Sequence, residues 1–241
     1  MVFRYIAFVF ILLPFFFNDT TTTVKNLPNY NDHWLHFGFS LGINQANFKV
    51  TPVKNLSLRD TLLKVVPDPV MGFNLAIVSE LRLHEFLTLR CLPALSFQDR
   101  ILNYTVIVKN PQGIKDTTVF KKSVESTSIE FPIDLKFRSA RLNNFAAYVQ
   151  GGVKWAIDLA SQEDVKNSQN PKDVLIKLKK NDFAYTAGFG LDFYFPYFKF
   201  STEIKGAWGM RNLLVKEGDS FSSSIESLKS KLLLISLHFE G

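Results

Sequence analysis

Residues 183–208 read FAYTAGFGLDFYFPYFKFSTEIKGAW, two alternating runs on either side of Pro196-Tyr197. Phe183, Tyr185, Ala187, Phe189, Leu191 and Phe193 share one face, against Ala184, Thr186, Gly188, Gly190 and Asp192 on the other. Beyond Pro196-Tyr197, Phe198, Phe200, Thr202, Ile204, Gly206 and Trp208 oppose Lys199, Ser201, Glu203, Lys205 and Ala207. Successive side chains of a strand point to opposite faces, so a strict period of two means β-structure. Each run outlasts the usual strand of about five or six residues, and the tight turn between them predicts a hairpin. One face is apolar and aromatic, while the other is small or fully charged. A transmembrane barrel calls for that distribution, with lipid outside and a polar lumen inside.

The same alternation recurs on both sides of this hairpin. Residues 34–44 set Leu35, Phe37, Phe39, Leu41 and Ile43 against His36, Gly38, Ser40, Gly42 and Asn44. Residues 73–83 set Phe73, Leu75, Ile77, Leu81 and Leu83 against Asn74, Ala76, Glu80 and Arg82. In 87–97, Leu87, Leu89, Cys91, Leu95 and Phe97 face out while Thr88, Arg90, Ala94 and Ser96 face in. Residues 128–138 turn Ile129, Phe131, Ile133, Leu135 and Phe137 out, with Glu130, Asp134, Lys136 and Arg138 in. Residues 147–159 put Val149, Val153, Trp155, Ile157 and Leu159 opposite Tyr148, Gln150, Lys154 and Asp158. Residues 232–240 close the series, with Leu233, Ile235, Leu237 and Phe239 out and Ser236, His238 and Glu240 in.

The total is eight strands, an even number and the smallest size of outer-membrane barrels. Long polar connections (48–69, 99–124, 160–180, 209–229) alternate with short ones (84–86, 140–144, 196–197), and the Ser222–Ser224 tract reads as solvated loop. The expected fold is therefore all-β: an eight-stranded antiparallel up-and-down transmembrane β-barrel with long extracellular loops, short periplasmic turns and both termini in the periplasm. Facing is set by energy, since a Lys or Arg turned into lipid near the midplane costs about 2–4 kcal/mol. Pro93 and Pro132 lack a donor for the ladder, so a bulge or kink is expected where their strands meet.

Composition agrees with this reading. The 241 residues include 24 phenylalanines, concentrated in the alternating runs, and mean hydropathy is only +0.05, which excludes a polytopic helical membrane protein. The net charge is +6, but the bases are interleaved with acids, many lie at inward strand positions, and no Walker loop, RNA-binding signature or zinc spacing accompanies them, so no nucleic-acid partner is expected. Cys91 is the single cysteine and falls on an apolar face, which excludes an intramolecular disulfide. Residues 1–17 resemble a signal peptide, with Arg4 ahead of an apolar run too short for a transmembrane helix. Residues 18–33 read as an exposed periplasmic leader, and 34–241 as the barrel.

The inward positions collect Glu80, Arg82, Arg90, Glu130, Asp134, Lys136, Arg138, Lys154, Asp158, Asp192, Lys199, Glu203, Lys205 and Glu240. Eight strands leave an interior just wide enough for side chains to fill, so these are expected to pair with one another as a charged plug. His36 and His238 lie inward near opposite chain ends and could approach each other, but no HExxH or other metal spacing is present. No catalytic residues, cofactor, metal or small-molecule substrate are expected, and hence no enzymatic activity. Trp34, Trp155, Tyr185, Tyr197 and Trp208, with Tyr104, are candidates for interfacial aromatic girdles.

Several stretches together resemble the PorT family: NLPNYND (26–32), WLHFGFSLGIN (34–44), FNL (73–75) with LRL (81–83), LRCLPALSF (89–97), EFP (130–132), DFYFPYFKFS (192–201) and LHFE (237–240). The resemblance spans the chain after its leader. It implies an outer-membrane β-barrel that takes part in the type IX secretion system, which is coupled to gliding motility in some bacteria. Because charge is expected to plug the lumen, the expected role is an assembly or accessory component and not a cargo pore. Other secretion-system subunits and outer-membrane lipid are then the expected partners, and the family supplies no catalytic residues. An OmpA- or OmpX-like structural or adhesive barrel is the alternative expectation.

Overall fold

The turn at Pro196-Tyr197 closes the hairpin read from the sequence. The structure, a computed structural model, describes residues 24–53, 62–109, 115–124, 126–161, 177–216 and 222–241, so the signal-like segment 1–17 lies outside the described residues. Within them the strands are β1 (Leu35–Pro52), β2 (Leu62–Arg82), β3 (Leu87–Cys91), β4 (Ala94–Phe97), β5 (Arg100–Lys109), β6 (Lys115–Val124), β7 (Thr127–Arg138), β8 (Phe145–Asp158), β9 (Asn181–Tyr194), β10 (Lys199–Gly209) and β11 (Ile225–Glu240). Because β1 pairs with both β2 and β11, the antiparallel sheet closes on itself as β1-β2-β3/β4-β7-β8-β9-β10-β11. β3 and β4 form one interrupted wall strand, which makes a ring of eight.

The phase of each wall strand follows its alternation. Along β10, Lys199, Ser201, Glu203 and Lys205 are buried while Ile204 is exposed. β1 shows where hydrocarbon ends. Phe37, Phe39, Leu41 and Ile43 are exposed on its outer face, followed by Gln45, Asn47 and Lys49. Its inner face runs through buried His36, Ser40 and Asn44 and then turns apolar at Ala46 and Phe48. Both faces change character at the same height, and Lys231 and Lys229 of β11 stand beside Asn47 and Lys49. From Leu35 to Ile43 the apolar band is roughly 20 Å tall at the usual rise and tilt, near the ~25 Å of outer-membrane barrels.

Above the band the wall opens into a cap. β1 leaves β2 after Ala46 and continues against β11 alone, while the upper part of β2 pairs with β5, and β5 with β6. Phe48, Leu102, Tyr104, Val124, Ile225 and Leu228 pack between them, joined by Leu178, Leu213 and Leu214 from the connections. Much of what the sequence suggested as polar loop (48–69, 99–124, 209–229) is therefore strand. In water the rule reverts to apolar-inside, so strands that leave the membrane keep period two but exchange faces. Two further expectations fail for the same reason. Tyr104 is fully buried in the cap and belongs to no girdle, and Ser222–Ser224 form a short 3-10 turn with Ser222 and Ser224 buried. Of the expected loop 160–180, residues 162–176 lie outside the described residues.

The prolines produce a gap in pairing, not a bulge. Pairing lapses only over Leu92 and Pro93, and the register Cys91↔Ile133 resumes unshifted as Ala94↔Glu130. Single bonds persist there, from Leu92 N to Pro132 O (3.2 Å) and from Ile77 N to Pro93 O (3.0 Å). The two missing proline donors thus fall on the same short stretch of wall.

Ile204→Lys, within the band, is expected to cost about 2–4 kcal/mol in urea titrations of folding into phospholipid vesicles. Gln45→Lys, just above the band, should cost about 1 kcal/mol or less. Equal losses would contradict a band that ends between Ile43 and Gln45.

Candidate functional site

Alternation on a closed ring of small radius forces the inward side chains of every wall strand into one space. Nine of the charged residues meet there in a single connected network. Arg90, fully buried on β3, donates to Glu80, to Glu203 Oε2 (2.8 Å) and to Glu240 Oε1 (3.3 Å). Lys136 reaches Glu80 (3.2 Å) and Asp192 (3.0 Å). Lys199 bridges Glu80 (2.9 Å) and Glu240 (2.7 Å), and Lys205 bridges Asp134 (2.9 Å) and Glu203 (3.1 Å). Four cations thus hold five carboxylates. β3 and β10 stand on opposite sides of the ring, so Arg90–Glu203 spans the full lumen.

Neutral groups complete the network. Tyr148 donates to Glu203 Oε2 (2.9 Å), and its ring lies under the Lys136 ammonium at 3.9 Å. Ser201 donates to Asp192 (2.6 Å), and Thr186 donates to Asp134. Tyr148 was legible as inward-facing, but its cation–π contact carries no local signal. His238 Nε2 lies 3.2 Å from Glu203 Oε2. The two inward histidines do not pair across the seam, because His238 faces Ser40 while His36 lies further along β1.

The other five candidates stand apart from this network. Lys154 pairs with Glu130 (2.8 Å) nearer the cap, where Gln98 also donates to Glu130 (2.6 Å). Asp158 accepts from Ser126 (2.8 Å) beside a cavity of about 30 Å³ that also meets Arg100, a buried base within the expected loop 99–124. Arg138 donates to Tyr194 Oη (2.6 Å) and Asn31 Oδ1 (3.0 Å) and meets no carboxylate among the described residues. Arg82 lines a groove at the same mouth.

That mouth is covered by residues 24–33, part of the expected exposed leader. Asn26 donates from its backbone to Asn144 Oδ1 (2.9 Å) and from its side chain to Tyr194 O (2.9 Å), and Arg141 donates to Leu27 O (3.3 Å). Tyr30 enters the lumen, stacks on His36 at 3.8 Å and donates to Glu240 Oε2 (3.4 Å). Burial raises its phenol well above the ordinary value, so it remains a neutral donor. The segment is held by groups that the short turns and the last residues of the wall present at this mouth, among them the side chains of Asn144, Arg138 and Arg141 and the backbone carbonyl of Tyr194. With the cap at one end and Tyr30 at the other, the lumen is closed twice over.

The outer face carries two aromatic tiers. Toward the cap, Trp155 stacks between Phe131 (5.6 Å) and Phe183 (6.4 Å), and Tyr185 stacks on Trp208 (5.3 Å). Toward the short turns, Phe145, Phe193, Phe200, Phe239 and Phe39 follow one another across five neighbouring strands. Trp34 and Tyr197 lie exposed beyond them.

Residues 25–215 match the family described as outer membrane protein beta-barrel domain. The chain belongs to that family. As a member of the outer membrane protein beta-barrel domain family, it places its apolar band in the outer membrane. In shape it is similar to the outer membrane protein OprG from Pseudomonas aeruginosa (13% identity, 86% of this chain and 92% of that chain covered, TM-score 0.44). It is also similar to Neisserial surface protein A (9%, 84% and 95%, 0.41) and to Ail, the attachment invasion locus protein of Yersinia pestis (11%, 86% and 98%, 0.35). No curated protein matches the chain.

Arg90→Leu would leave Glu80, Glu203 and Glu240 short of a cation. Breaking a buried pair from one side typically costs about 3–5 kcal/mol, which a urea titration would register. Adding Glu203→Gln should recover part of that loss, giving a non-additive double-mutant cycle; additive losses would mean that the two residues are uncoupled. In planar bilayers neither the intact barrel nor a form lacking residues 24–33 should conduct, because the network and cap remain. Steady conductance steps from the intact barrel would contradict the closed lumen.

Proposed function

We propose that this outer-membrane barrel is a PorT-type accessory component of the type IX secretion system, non-enzymatic, with its short turns and both termini in the periplasm. The observation that carries this reading is the closed lumen. A ring filled by Arg90, Lys136, Lys199 and Lys205 with their carboxylates, and covered at both ends, gives a polypeptide no passage, so a secretion role must work through surfaces. The sequence motifs shared with the PorT family support the assignment, among them the Asn26–Asp32 segment that seats Tyr30 and the Pro93 and Pro132 pair.

The surface we assign to partner subunits is the mouth built by the leader and the short turns. It holds a groove of about 340 Å³ edged by Arg82, Arg138 and Arg141, on the side where other subunits of an envelope-spanning system would stand. A second reading, a structural or adhesive barrel with no part in secretion, draws on the cap, a folded unit with its own core on the far side of the membrane.

Deleting the gene and following export of type IX cargo separates the two. Loss of export, restored by the wild-type chain, is expected. Export that continues unchanged would leave the structural or adhesive reading. In the restored strain, Arg82→Glu should insert normally yet lower export several-fold, because it reverses charge on the mouth without touching the lumen network.

A further inference from the structure

Just above the apolar band, on the outer face below the cap, positive charge is collected without an answer. Lys231 of β11 stands directly across from Trp208 of β10 on one side and Asn47 of β1 on the other. One outward step higher, Lys49 and Lys229 face each other. Like charges placed opposite in a ladder are destabilising. Among the described residues no ion pair involves any of the three. The lumen, by contrast, pairs Arg90, Lys136, Lys154, Lys199 and Lys205 with carboxylates.

The three lysines line a groove of about 720 Å³ together with Tyr185, Trp208 and Met210. Its floor is flat. The Trp208 indole lies down over Gly206, where an added Cβ would come within 2.4 Å of the ring, and it stacks on Tyr185 at 5.3 Å and 19°. Glycine at 206 is therefore what lets the indole lie along the wall. An aromatic floor at the edge of the hydrocarbon belongs at headgroup level. A cluster of lysines at that level attracts anionic headgroups, each worth about a factor of five in affinity.

We propose that this groove is a binding site for a phosphate-bearing lipid headgroup of the adjoining leaflet. Lys49, Lys229 and Lys231 take the phosphate, while Tyr185 and Trp208 receive the part of the lipid that leads into the acyl chains. Lysine suits phosphate as a compact point charge with three donors. The position favours a lipid over a free anion, because the basic rim continues without a break into the lipid-facing wall. The site rests on the height of the band and, in its choice of lipid A, on the orientation proposed above that puts the short turns in the periplasm; it is independent of any role in secretion.

The test uses the full folded barrel in neutral detergent, titrated with lipid A, which carries phosphates on a sugar headgroup, and followed by native mass spectrometry. The wild type should hold lipid A about a hundredfold more tightly than K49Q/K229Q/K231Q. It should bind dephosphorylated lipid A no better than that variant does. K49R/K229R/K231R should retain binding, and K64Q/K121Q/K216Q, which removes the same charge elsewhere, should change it by less than about twofold. Folding of each variant is checked by its heat-modifiable mobility on gels. Equal lipid A affinity in wild type and K49Q/K229Q/K231Q would overturn the proposal. So would indifference to the phosphates, or full competition by millimolar inorganic phosphate, which would mark a free-anion site.

Discussion

Hydrocarbon offers no hydrogen bonds, and each backbone group left unpaired in it costs several kcal/mol. A sheet can cross a membrane only if it has no edge. Here the whole arrangement turns on one strand, β1, which pairs with β2 through twelve residue positions and with β11 on its other side. The ring closes with eight strands, eight strands fix a narrow interior, and strict alternation sends every inward side chain into it. The two-residue lapse at Leu92-Pro93 is tolerated because it leaves the register intact and retains a bond on each side.

A narrow interior filled with charge is demanding, since taking ions out of water costs several kcal/mol each unless they are paired in good geometry. The lumen meets this by spreading the pairs around the ring. Arg90 reaches across it to Glu203, Lys205 reaches from β10 to Asp134 on β7, and Lys136 ties β7 to both β2 and β9. Such a network adds little stability over a well-packed apolar filling. An apolar lumen, however, would leave the chain apolar on both faces and remove the alternation that specifies which face meets lipid.

The sequence made the band legible because parity is a local property. From Phe198 to Trp208 each residue states its own face, and the ring repeats that rule eight times. The cap was hidden by the same rule. Gln45, Asn47 and Lys49 on the outer face look like the end of a strand, yet Ala46, Phe48 and Val50 on the inner face carry the alternation onward with its polarity exchanged. Leu102, Tyr104 and Val106 do likewise in β5. Which charges meet is a different matter. Arg90 and Glu203 are 113 residues apart, and their contact depends on where β3 and β10 stand around the ring, which no local pattern encodes. Tyr30 lies outside any periodic run, and its place over His36 follows only from the hydrogen bonds that seat the leader on the mouth.

Nuclear Overhauser contacts between lipid acyl chains and side-chain methyl groups, recorded on the intact barrel in nanodiscs, show which face of each strand meets hydrocarbon. Methyls of Ile43, Ile77, Ile133, Ile204 and Ile235 should show strong contacts to acyl-chain protons, and those of Leu92, Ala184 and Thr186 none. Isoleucine methyls in contact only with one another, or lipid contacts from Leu92 and Thr186, would mean that the apolar face is a protein core and that the ionic residues are not sealed inside.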